Sequence, residues 1–403
     1  MILPTIIRRR NSYIHKIEPF IQKPIIKVLT GQRRVGKSYL LFQLMEEIQS
    51  TDPKANIIYI NKEDMAFDHI RSAADLHSHI SSLQRKGFYN YIFIDEIQDI
   101  PEFEKALRSL LLNEFNDIYI TGSNAHMLSG ELATYLSGRY VEFTVYSLSY
   151  PEFLQFHTLE DSFASYAQYA RYGGLPYLIN LTLTDEVVDE YLKSVYSTIV
   201  YRDVVSRYNL RNSAFLEKLV RFLSENTGSL FSAKNISDYL KSQHTTVSVN
   251  QILNYVEYLS SSFLIHRVER YDLIGKRIFE IGEKYYFENM GLRNVVAGYR
   301  LSDKAKILEN VVYNHLLYLG YSVKVGNLGP LEIDFVCEKA SEKLYVQVAL
   351  RLDNEQTIER EFGNLLKIQD NYPKMIVTED EFHGNTYEGI RNVSVREFLM
   401  GRW

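Results

Sequence analysis

The residues best suited to chemistry begin with a glycine-rich loop that ends in lysine and serine. Gly31 to Ser38 reads Gly-Gln-Arg-Arg-Val-Gly-Lys-Ser and fits the pattern G-x-x-x-x-G-K-[ST] in full. An apolar run, Ile25 to Leu29, precedes this loop, and an apolar-periodic segment, Tyr39 to Ile48, follows it. The order predicts a strand, a phosphate-binding loop (a Walker A motif) and a helix.

Such a loop suits a triphosphate for physical reasons. Glycines let backbone N–H groups approach the anion, and the following helix adds the positive end of its dipole. We expect Lys37 to reach the β- and γ-phosphates and Ser38 to ligate Mg²⁺, so ATP and Mg²⁺ are the predicted cofactors. The alternative is a glycine turn before an ordinary helix, which the complete pattern in its strand–helix context disfavours. The predicted nucleotide-binding residues are Gly31, Gln32, Arg33, Arg34, Val35, Gly36, Lys37, Ser38 and Tyr39.

A second chemical feature is a pair of carboxylates at the end of an apolar strand. Tyr91 to Ile94 is followed directly by Asp95 and Glu96. In phosphate-loop ATPases the first carboxylate holds Mg²⁺ through water, and the second orients or deprotonates the attacking water. The alternative is an acidic turn after a strand. About 60 residues beyond the lysine, the catalytic interpretation is favoured, with Asp95 in the metal site and Glu96 as a catalytic residue.

Two further polar positions are candidates for contact with the γ-phosphate. Ser123 and Asn124 end another apolar strand and could lie between the carboxylates and the phosphate, although a strand-end cap is the alternative. Arg139 lies just before a later strand and could reach a phosphate of its own chain or of a neighbouring subunit. The alternative for Arg139 is a surface ion pair. Lys37, Glu96, Asn124 and Arg139 form the predicted catalytic set.

These residues need a sheet that brings strand ends together. Strands alternate with helices along the first 145 residues, which predicts a parallel sheet covered on both faces. The predicted helices are 11–24, 39–48, 75–86 and 101–112. The predicted strands are 25–29, 56–60, 91–96, 117–124 and 140–145.

Composition limits the class of protein. The chain has 403 residues, so about two or three domains are expected. Its net charge of −5 argues against a general nucleic-acid coat. The single cysteine, Cys337, excludes an intrachain disulfide framework, and cytoplasmic localisation is expected. No run approaches 18 apolar residues, so no membrane span is predicted.

The motifs together resemble a known family. Gly31 to Ser38, Ile92 to Gln98, Thr121 to Asn124 and Leu136 to Tyr140 are similar to AAA-type ATPases of bacteria and archaea. Members of that family carry a C-terminal domain of unknown function with a restriction-endonuclease-like core. The resemblance implies an ATPase of the additional-strand catalytic-glutamate type, with Glu96 in the glutamate role. It does not imply a cellular task.

The middle of the chain is predicted to be helical. Arg171 to Pro176 resembles the motif at which the family's ATPase lid begins, and 161–210 is predicted as a helical lid or linker. Residues 211–285 have the pattern of a winged helix, three helices followed by a hairpin around Gly275. DNA contact and simple packing or protein binding are both open for this segment. The candidate DNA-contacting residues are Thr245, Thr246, Ser248, Asn250, Gln251, Lys276 and Arg277.

The C-terminal segment, 286–403, resembles the endonuclease-like core with a degraded site. Asp334 fits the metal-binding aspartate, and Glu309 fits an accessory helix carboxylate. Gln347 stands where a glutamate is wanted, and Ala349 stands where a lysine is wanted. We therefore predict no nuclease activity, with a rescue by Glu338 or Lys374 left open.

The predicted fold class is α/β, a phosphate-loop NTPase with a parallel sheet, a helical lid, a winged helix and a C-terminal α/β endonuclease-like domain. The predicted AAA-type core spans 1–160. The leading function is ATP hydrolysis that drives a molecular switch or motor. The alternatives are an ATP-regulated nuclease or other DNA-processing enzyme, and a DNA- or protein-binding adaptor. A DNA or protein partner and an oligomer both remain open.

Overall fold

The structure is a computed structural model that describes residues 6–125, 136, 138–242, 247–275, 277–352, 355–380 and 386–403. The chain divides into two compact units. The first unit runs up to Tyr146 and also contains Ser261–Phe263. The second unit comprises Ser147–Ser260 and Leu264–Trp403.

The described strands of the first unit form a five-stranded sheet in the order β2-β3-β4-β1-β5. All neighbouring strands are parallel, as the alternating pattern of strands and helices predicts. The central strands β3 and β4 are buried along their whole length, because helices cover both faces of the sheet. The strands are β1 (Ile26–Thr30), β2 (Asn56–Asn61), β3 (Asn90–Asp95), β4 (Asn116–Gly122) and β5 (Tyr140–Thr144).

Helices of the first unit lie at the predicted positions, but their ends differ. They are α1 (Asn11–Ile17), α2 (Lys37–Thr51), α3 (Ala73–Leu83) and α4 (Phe103–Leu110). Helix α2 extends beyond the predicted 39–48 at both ends, and α3 begins two residues before the predicted 75. The predicted helix over 11–24 is wrong in its second half, because a 3₁₀ turn, Glu18–Phe20, contains a proline and ends the α-helix. Helix α4 begins two residues late, after Glu102 takes a left-handed conformation.

The register of the sheet brings particular chain segments to one edge. Thr30, the last residue of β1, pairs with Gly122 of β4. Asn61 at the end of β2 pairs with Asp95 at the end of β3. Because the strands are parallel, the segments that follow β1, β2, β3 and β4 all emerge at this carboxyl edge.

The second unit begins with helices. The first helix begins with a capping box, in which the Ser149 hydroxyl and the Glu152 carboxylate each accept a hydrogen bond from the backbone N–H of the other residue. Within the segment predicted to be helical, 161–210, the helix that begins at Asp185 is α-helical to Thr198 and continues as a π-helix, Ile199–Ser206. The helices are α5 (Tyr150–His157), α6 (Phe163–Tyr172), α7 (Asp185–Thr198), α8 (Ser213–Glu225), α9 (Ala233–Ser242), α10 (Val249–Ser261), α11 (Met290–Ala297), α12 (Lys304–Tyr318), α13 (Glu355–Leu366) and α14 (Val395–Leu399).

The described strands of the second unit form one eight-stranded sheet, in the order β12-β13-β11-β10-β9-β8-β6-β7. Helix α12 packs on this sheet, with Leu308, Val312 and Leu316 in the core. The strands are β6 (Ile265–Asp272), β7 (Arg277–Phe287), β8 (Ser322–Leu328), β9 (Leu331–Lys339), β10 (Glu342–Ala349), β11 (Lys374–Thr378), β12 (Thr386–Tyr387) and β13 (Ile390–Ser394).

The hairpin predicted as a wing belongs to this sheet. Strands β6 and β7 pair antiparallel, as expected, but β6 also pairs in parallel with β8 through Arg270 and Val325. Strand β7 extends to Phe287, past the predicted end of the winged helix at residue 285. The predicted boundary between the winged helix, 211–285, and the C-terminal domain, 286–403, therefore falls inside one continuous sheet. Within the described ranges, no helix is both long and apolar enough to cross a membrane.

Candidate functional site

The glycine-rich loop joins β1 to α2 at the carboxyl edge of the first unit's sheet. Gly31 has a φ of +143°, and a Cβ built on it would lie 2.1 Å from the carbonyl oxygen of Val145. Only glycine allows the chain to pass this close to the end of the neighbouring strand. Arg34 and Gly36 also have positive φ, 71° and 96°, so the loop curls on itself before α2 begins at Lys37.

The loop holds its own polar side chains. The Lys37 ammonium donates to the carbonyl oxygens of Gly31 at 2.9 Å and Gln32 at 3.0 Å. The Gln32 amide donates through Nε2 to the carbonyl oxygen of Phe263 at 2.8 Å. Its Oε1 is buried and has no hydrogen-bond partner among the described residues. The loop thus contains a cation, a curled backbone and an unsatisfied buried polar atom, which fit a bound polar anion.

Asp95 lies beside the first residues of α2. Its carboxylate accepts hydrogen bonds from the hydroxyls of Ser38 and Thr121, and from Tyr59 at 3.4 Å. Burial raises the pKa of Asp95 above its ordinary value, and the hydrogen bonds from Ser38 and Thr121 only partly oppose this effect. A cation held between a hydroxyl and a buried carboxylate would relieve this cost, so this pair of oxygen donors fits Mg²⁺.

Glu96 has a different environment, although it is the next residue. Its φ of +55° turns the chain, and its N–H donates to Thr121 Oγ1 at 2.9 Å. The carboxylate accepts from Gln98 and from Ser123, the latter at 3.2 Å. Burial by itself would raise the pKa of Glu96, but the charges of Lys37 and Arg33 and the two hydrogen bonds hold it below its usual value.

The pKa values of the two carboxylates are therefore shifted in opposite directions. Burial disfavours the charged form of Asp95, whereas neighbouring cations and hydrogen bonds stabilise the charged form of Glu96. Neighbouring titratable groups whose environments push their pKa values apart are suited to different roles. The ionised Glu96 is suited to accept a proton or orient a water, and Asp95 is suited to partner a cation.

Arg33 of the loop joins this cluster through a residue that the sequence analysis missed. Its guanidinium forms an ion pair with Glu63 at 3.0 Å, and the Arg33 side chain is only 7% exposed. Glu63 follows β2, so it emerges at the same carboxyl edge. The only sequence signal was its position three residues after the predicted strand 56–60, and it belongs to no recognisable motif. Thr121 and Gln98 belong to recognised motifs, but those motifs do not predict that Thr121 contacts Asp95 and Glu96 or that Gln98 contacts Glu96.

The other predicted residues of the first unit are placed as follows. Ser123 donates to the Glu96 carboxylate, and Asn124, the next residue, is half-buried. Arg34 is exposed and Val35 is buried, while the Tyr39 side chain is 51% exposed at the start of α2.

Arg139 lies at the opposite edge of the sheet. The next residue, Tyr140, pairs with Ile26, the first residue of β1, whereas the glycine-rich loop follows the last residue, Thr30. Four residue steps along a strand separate the two ends by about 13 Å. Arg139 is exposed, and the sheet register directs it away from the phosphate loop of its own chain. Action on its own phosphate is not supported by this arrangement.

In the second unit, Glu309 and Asp334 lie close enough for the charge of one to act on the other. Lys284 of β7, which was not predicted, forms an ion pair with Glu309 at 3.1 Å. The proposed rescue residues lie elsewhere: Glu338 pairs with Lys324 at 3.3 Å, and Lys374 donates to the backbone of Asp370. Gln347 accepts from the Asp334 N–H at 3.2 Å.

The predicted DNA-contacting residues are only partly described. Thr245, Thr246 and Lys276 lie outside the described residues, and only the backbone of Arg277 is placed. Ser248 and Asn250 are exposed near the start of α10, and Gln251 is half-buried.

Comparison with known proteins gives matches along the chain. A family model described as an AAA domain matches residues 23–154, and a Domain of unknown function (DUF8612) matches residues 163–303. An uncharacterized protein of Haemophilus influenzae is 36% identical over 401 residues, covering 97% of this chain and 98% of that protein. An uncharacterized protein of Methanocaldococcus jannaschii is 32% identical over 385 residues, covering 88% of this chain and 82% of that protein.

Among solved structures, the Aeropyrum pernix ORC1 protein in complex with DNA is similar at 13% identity. The alignment covers 73% of this chain and 93% of that chain, with a TM-score of 0.34. At this TM-score the similarity carries no argument about function.

Proposed function

Since this chain belongs to the same family as the Haemophilus influenzae and Methanocaldococcus jannaschii proteins and contains an AAA domain, we propose that it hydrolyses ATP. One observation carries the proposal. Asp95 and Glu96 share Thr121 as a hydrogen-bond partner, and the charge of Lys37 acts on both carboxylates at the same sheet edge.

Each residue has a distinct role in this proposal. Lys37 leaves the loop carbonyls to pair with the β- and γ-phosphates, and the loop N–H groups surround the phosphate chain. Ser38 and Asp95 would hold Mg²⁺, which would neutralise negative charge on the phosphate oxygens. Glu96, held as an anion, orients the attacking water and accepts its proton.

Arg33 is an additional cation close to the reacting group. Its charge already acts on Glu96, and Glu63 holds its guanidinium at the carboxyl edge. In the proposed reaction Arg33 stabilises the negative charge that develops on the transferred phosphoryl group. Arg139, at the other edge, is available only to a neighbouring subunit, so this role requires an oligomer.

The test is phosphate release by the purified full chain in the presence of Mg²⁺ and ATP. We expect Lys37→Ala and Glu96→Gln to lower kcat by about 10²-fold or more. Matched controls are Lys54→Ala and Glu114→Gln, which change exposed residues of the same types. Turnover that survives both Lys37→Ala and Glu96→Gln would falsify the proposal.

We further propose that hydrolysis serves as a switch or motor that acts on the second unit. The chain passes between the units at residues 146–147, 260–261 and 263–264, so a change in one unit is covalently linked to the other at three points. The winged-helix interpretation of 211–285 and DNA contact remain proposals. Size-exclusion analysis with and without ATP and duplex DNA tests assembly and DNA binding together.

The endonuclease-like interpretation of the C-terminal core also remains a proposal. The order helix α12, strands β8, β9 and β10, helix α13 and strand β11 supports it, because Glu309 and Asp334 then meet on one side of the sheet. Gln347 and Ala349 in place of charged residues support an inactive site. Mg²⁺-dependent cleavage of DNA that Asp334→Ala abolishes would instead establish a nuclease.

A further inference from the structure

A buried lysine lies inside a group of carboxylates in the second unit. Lys284 projects from β7, and its ammonium lies 3.1 Å from Glu309 Oε1 and 2.8 Å from Glu332 Oε1. Asp334, two residues after Glu332 on β9, is close enough for its charge to act on the same ammonium. The four residues come from two strands and a helix, and we name Glu309, Glu332 and Asp334 the carboxylate pocket.

The pocket is partly enclosed. The Lys284 side chain is 5% exposed and the Glu309 side chain is 18% exposed, whereas the Glu332 side chain is 35% exposed at the rim. The Tyr286 hydroxyl donates to Glu309 Oε1, and the Val348 N–H donates to Asp334 Oδ2 at 2.8 Å. Gly228 closes the pocket beside Glu309, since a Cβ on it would lie 3.1 Å from that carboxylate.

Carboxylates brought together in a partly buried place need a cation, because their charges repel and burial reduces the screening by water. The Lys284 ammonium, at 3.1 Å from Glu309 Oε1 and 2.8 Å from Glu332 Oε1, is placed to supply this positive charge.

The composition of the pocket is also that of a divalent-cation site. Three carboxylates from neighbouring elements are the oxygen donors that Mg²⁺ and Mn²⁺ take. An ammonium fixed about 3 Å from two of them occupies the position from which a metal ion would contact both oxygens.

We propose that Lys284 is the resident cation of the carboxylate pocket, so that in the native chain this pocket excludes divalent metal ions. Removal of the ammonium then converts the pocket into a site for Mn²⁺ or Mg²⁺. The proposal concerns the second unit alone and does not rest on ATP hydrolysis by the first.

The experiment is a Mn²⁺ titration of the nucleotide-free full chain, followed by electron paramagnetic resonance of the free ion. Every protein carries Asp95→Asn, so that the first unit contributes a weakened and constant background. The compared variants are Lys284→Met, the double variant Lys284→Met with Asp334→Asn, and the matched control Lys324→Met. Lys324 is a half-buried lysine of β8 that pairs with Glu338 at 3.3 Å, outside the pocket.

We expect the Asp95→Asn protein and the Lys324→Met control to show only the background. Lys284→Met should bind one additional Mn²⁺ per chain, at least about tenfold tighter than background, and the double variant should lose it. Two results would overturn the proposal. One is a Mn²⁺ ion in the pocket while Lys284 is present, recognised by its loss in Asp334→Asn. The other is a folded Lys284→Met protein that gains no ion.

Lys284→Met leaves buried carboxylates without a partner and could fail to fold. A second variant keeps the test decisive: Lys284→Met with Glu309→Gln and Glu332→Gln removes the cation and two anions together. We expect this triple variant to keep the native circular dichroism spectrum and to bind no additional Mn²⁺. A triple variant that unfolds, or that binds Mn²⁺ as tightly as Lys284→Met, would contradict the assignment of Lys284 as the compensating charge.

Discussion

Thr121 offers the sharpest test of how the first unit positions its two carboxylates. Its hydroxyl donates to Asp95 and accepts the N–H of Glu96 at 2.9 Å, and the side chain is fully buried at the end of β4. Thr121→Val keeps the volume and the β-branched shape but removes both hydrogen bonds. Thr121→Ser removes a methyl group and keeps the hydroxyl, so it is the matched control.

The size of the effect follows from these two bonds. A hydrogen bond to a charged group contributes about 1.5–3 kcal/mol, and a buried N–H left without a partner costs about 1–3 kcal/mol. If about 1.4–2.8 kcal/mol of this total affects the orientation of Glu96 in the transition state, kcat falls about 10- to 100-fold. Thr121→Val also removes a hydrogen bond that opposes the raised pKa of Asp95, so Mg²⁺ should bind more weakly.

The assay is steady-state phosphate release, with kcat and KM for ATP measured at several Mg²⁺ concentrations. We expect Thr121→Val to lower kcat about 10- to 100-fold and to raise the Mg²⁺ concentration needed for half-maximal rate. Thr121→Ser should stay within roughly threefold of the native kcat. If the valine variant folds and its kcat equals that of the serine variant, the shared hydroxyl does not position the carboxylates.

Four further expectations concern the same unit. Gly31→Ala should abolish nucleotide binding, measured by fluorescence of a labelled ATP analogue, because the added Cβ has no room beside a neighbouring carbonyl oxygen. Glu63→Gln should lower kcat about 3- to 10-fold with little change in KM, because the substitution removes the ion pair that holds the Arg33 guanidinium in place. Asp95→Asn should raise the melting temperature of the nucleotide-free chain at pH 8. Mixing Arg139→Ala with Lys37→Ala protein should restore part of the turnover that each lacks, if the arginine acts across subunits.

The expected gain in stability from Asp95→Asn comes from the cost of ionising Asp95 in the folded state. Its folded-state pKa is raised above 3.8, so ionisation destabilises the fold as pH rises from 3.8 through the folded-state value. Asparagine removes this penalty, about 1.4 kcal/mol for each pKa unit, and the gain should shrink when the melt is repeated at pH 4. A gain of equal size at both pH values would show that ionisation is not its cause.

Controls for the other three expectations use nearby residues. Gly87→Ala changes a glycine with open space around it and should leave nucleotide binding unchanged, although its positive φ makes a small loss of stability expected. Glu114→Gln is the counterpart of Glu63→Gln, and equal rates for the two variants would remove Glu63 from the positioning role. Mixtures that show only the sum of the separate activities would place Arg139 outside catalysis.

The phosphate loop could be recognised from the sequence because the residues that define it are consecutive. Glycines at 31 and 36, a lysine and a serine must follow one another, and the structure shows why Gly31 cannot be replaced. The carboxyl-edge position of Asp95 was also predictable, since parallel strands bring their ends to one edge.

Contacts across strands were not predictable in the same way. Thr121 meets Asp95 and Glu96 because β3 and β4 are neighbours and because Glu96 takes a left-handed conformation. Neither the strand order nor a positive φ at a glutamate follows from local pattern. For the same reason, the sequence left open whether Arg139 acts on the phosphate of its own chain or of a neighbouring subunit. Only the pairing of β5 with β1 distinguishes these two roles.

The second unit shows a different limit. The strands β6 and β7 were recognised, but their partner was not, because the pairing of β6 with β8 joins residues more than 50 positions apart. Lys284 was overlooked for that reason: assigned to a wing, it had no predicted neighbour among Glu309, Glu332 and Asp334.

Residues Ser261–Phe263 belong to the first unit although they lie more than 100 positions after the rest of it, and this limits where the gene can be divided. The Ala125 N–H donates to the Ser261 carbonyl oxygen at 2.9 Å, and Gln32 donates to that of Phe263. A protein truncated after Tyr146 would lose both acceptors, at about 1–3 kcal/mol for each buried donor left without a partner. The ATP-binding core is thus discontinuous in the gene, and recombination that moves only its first 146 codons would transfer an incomplete fold.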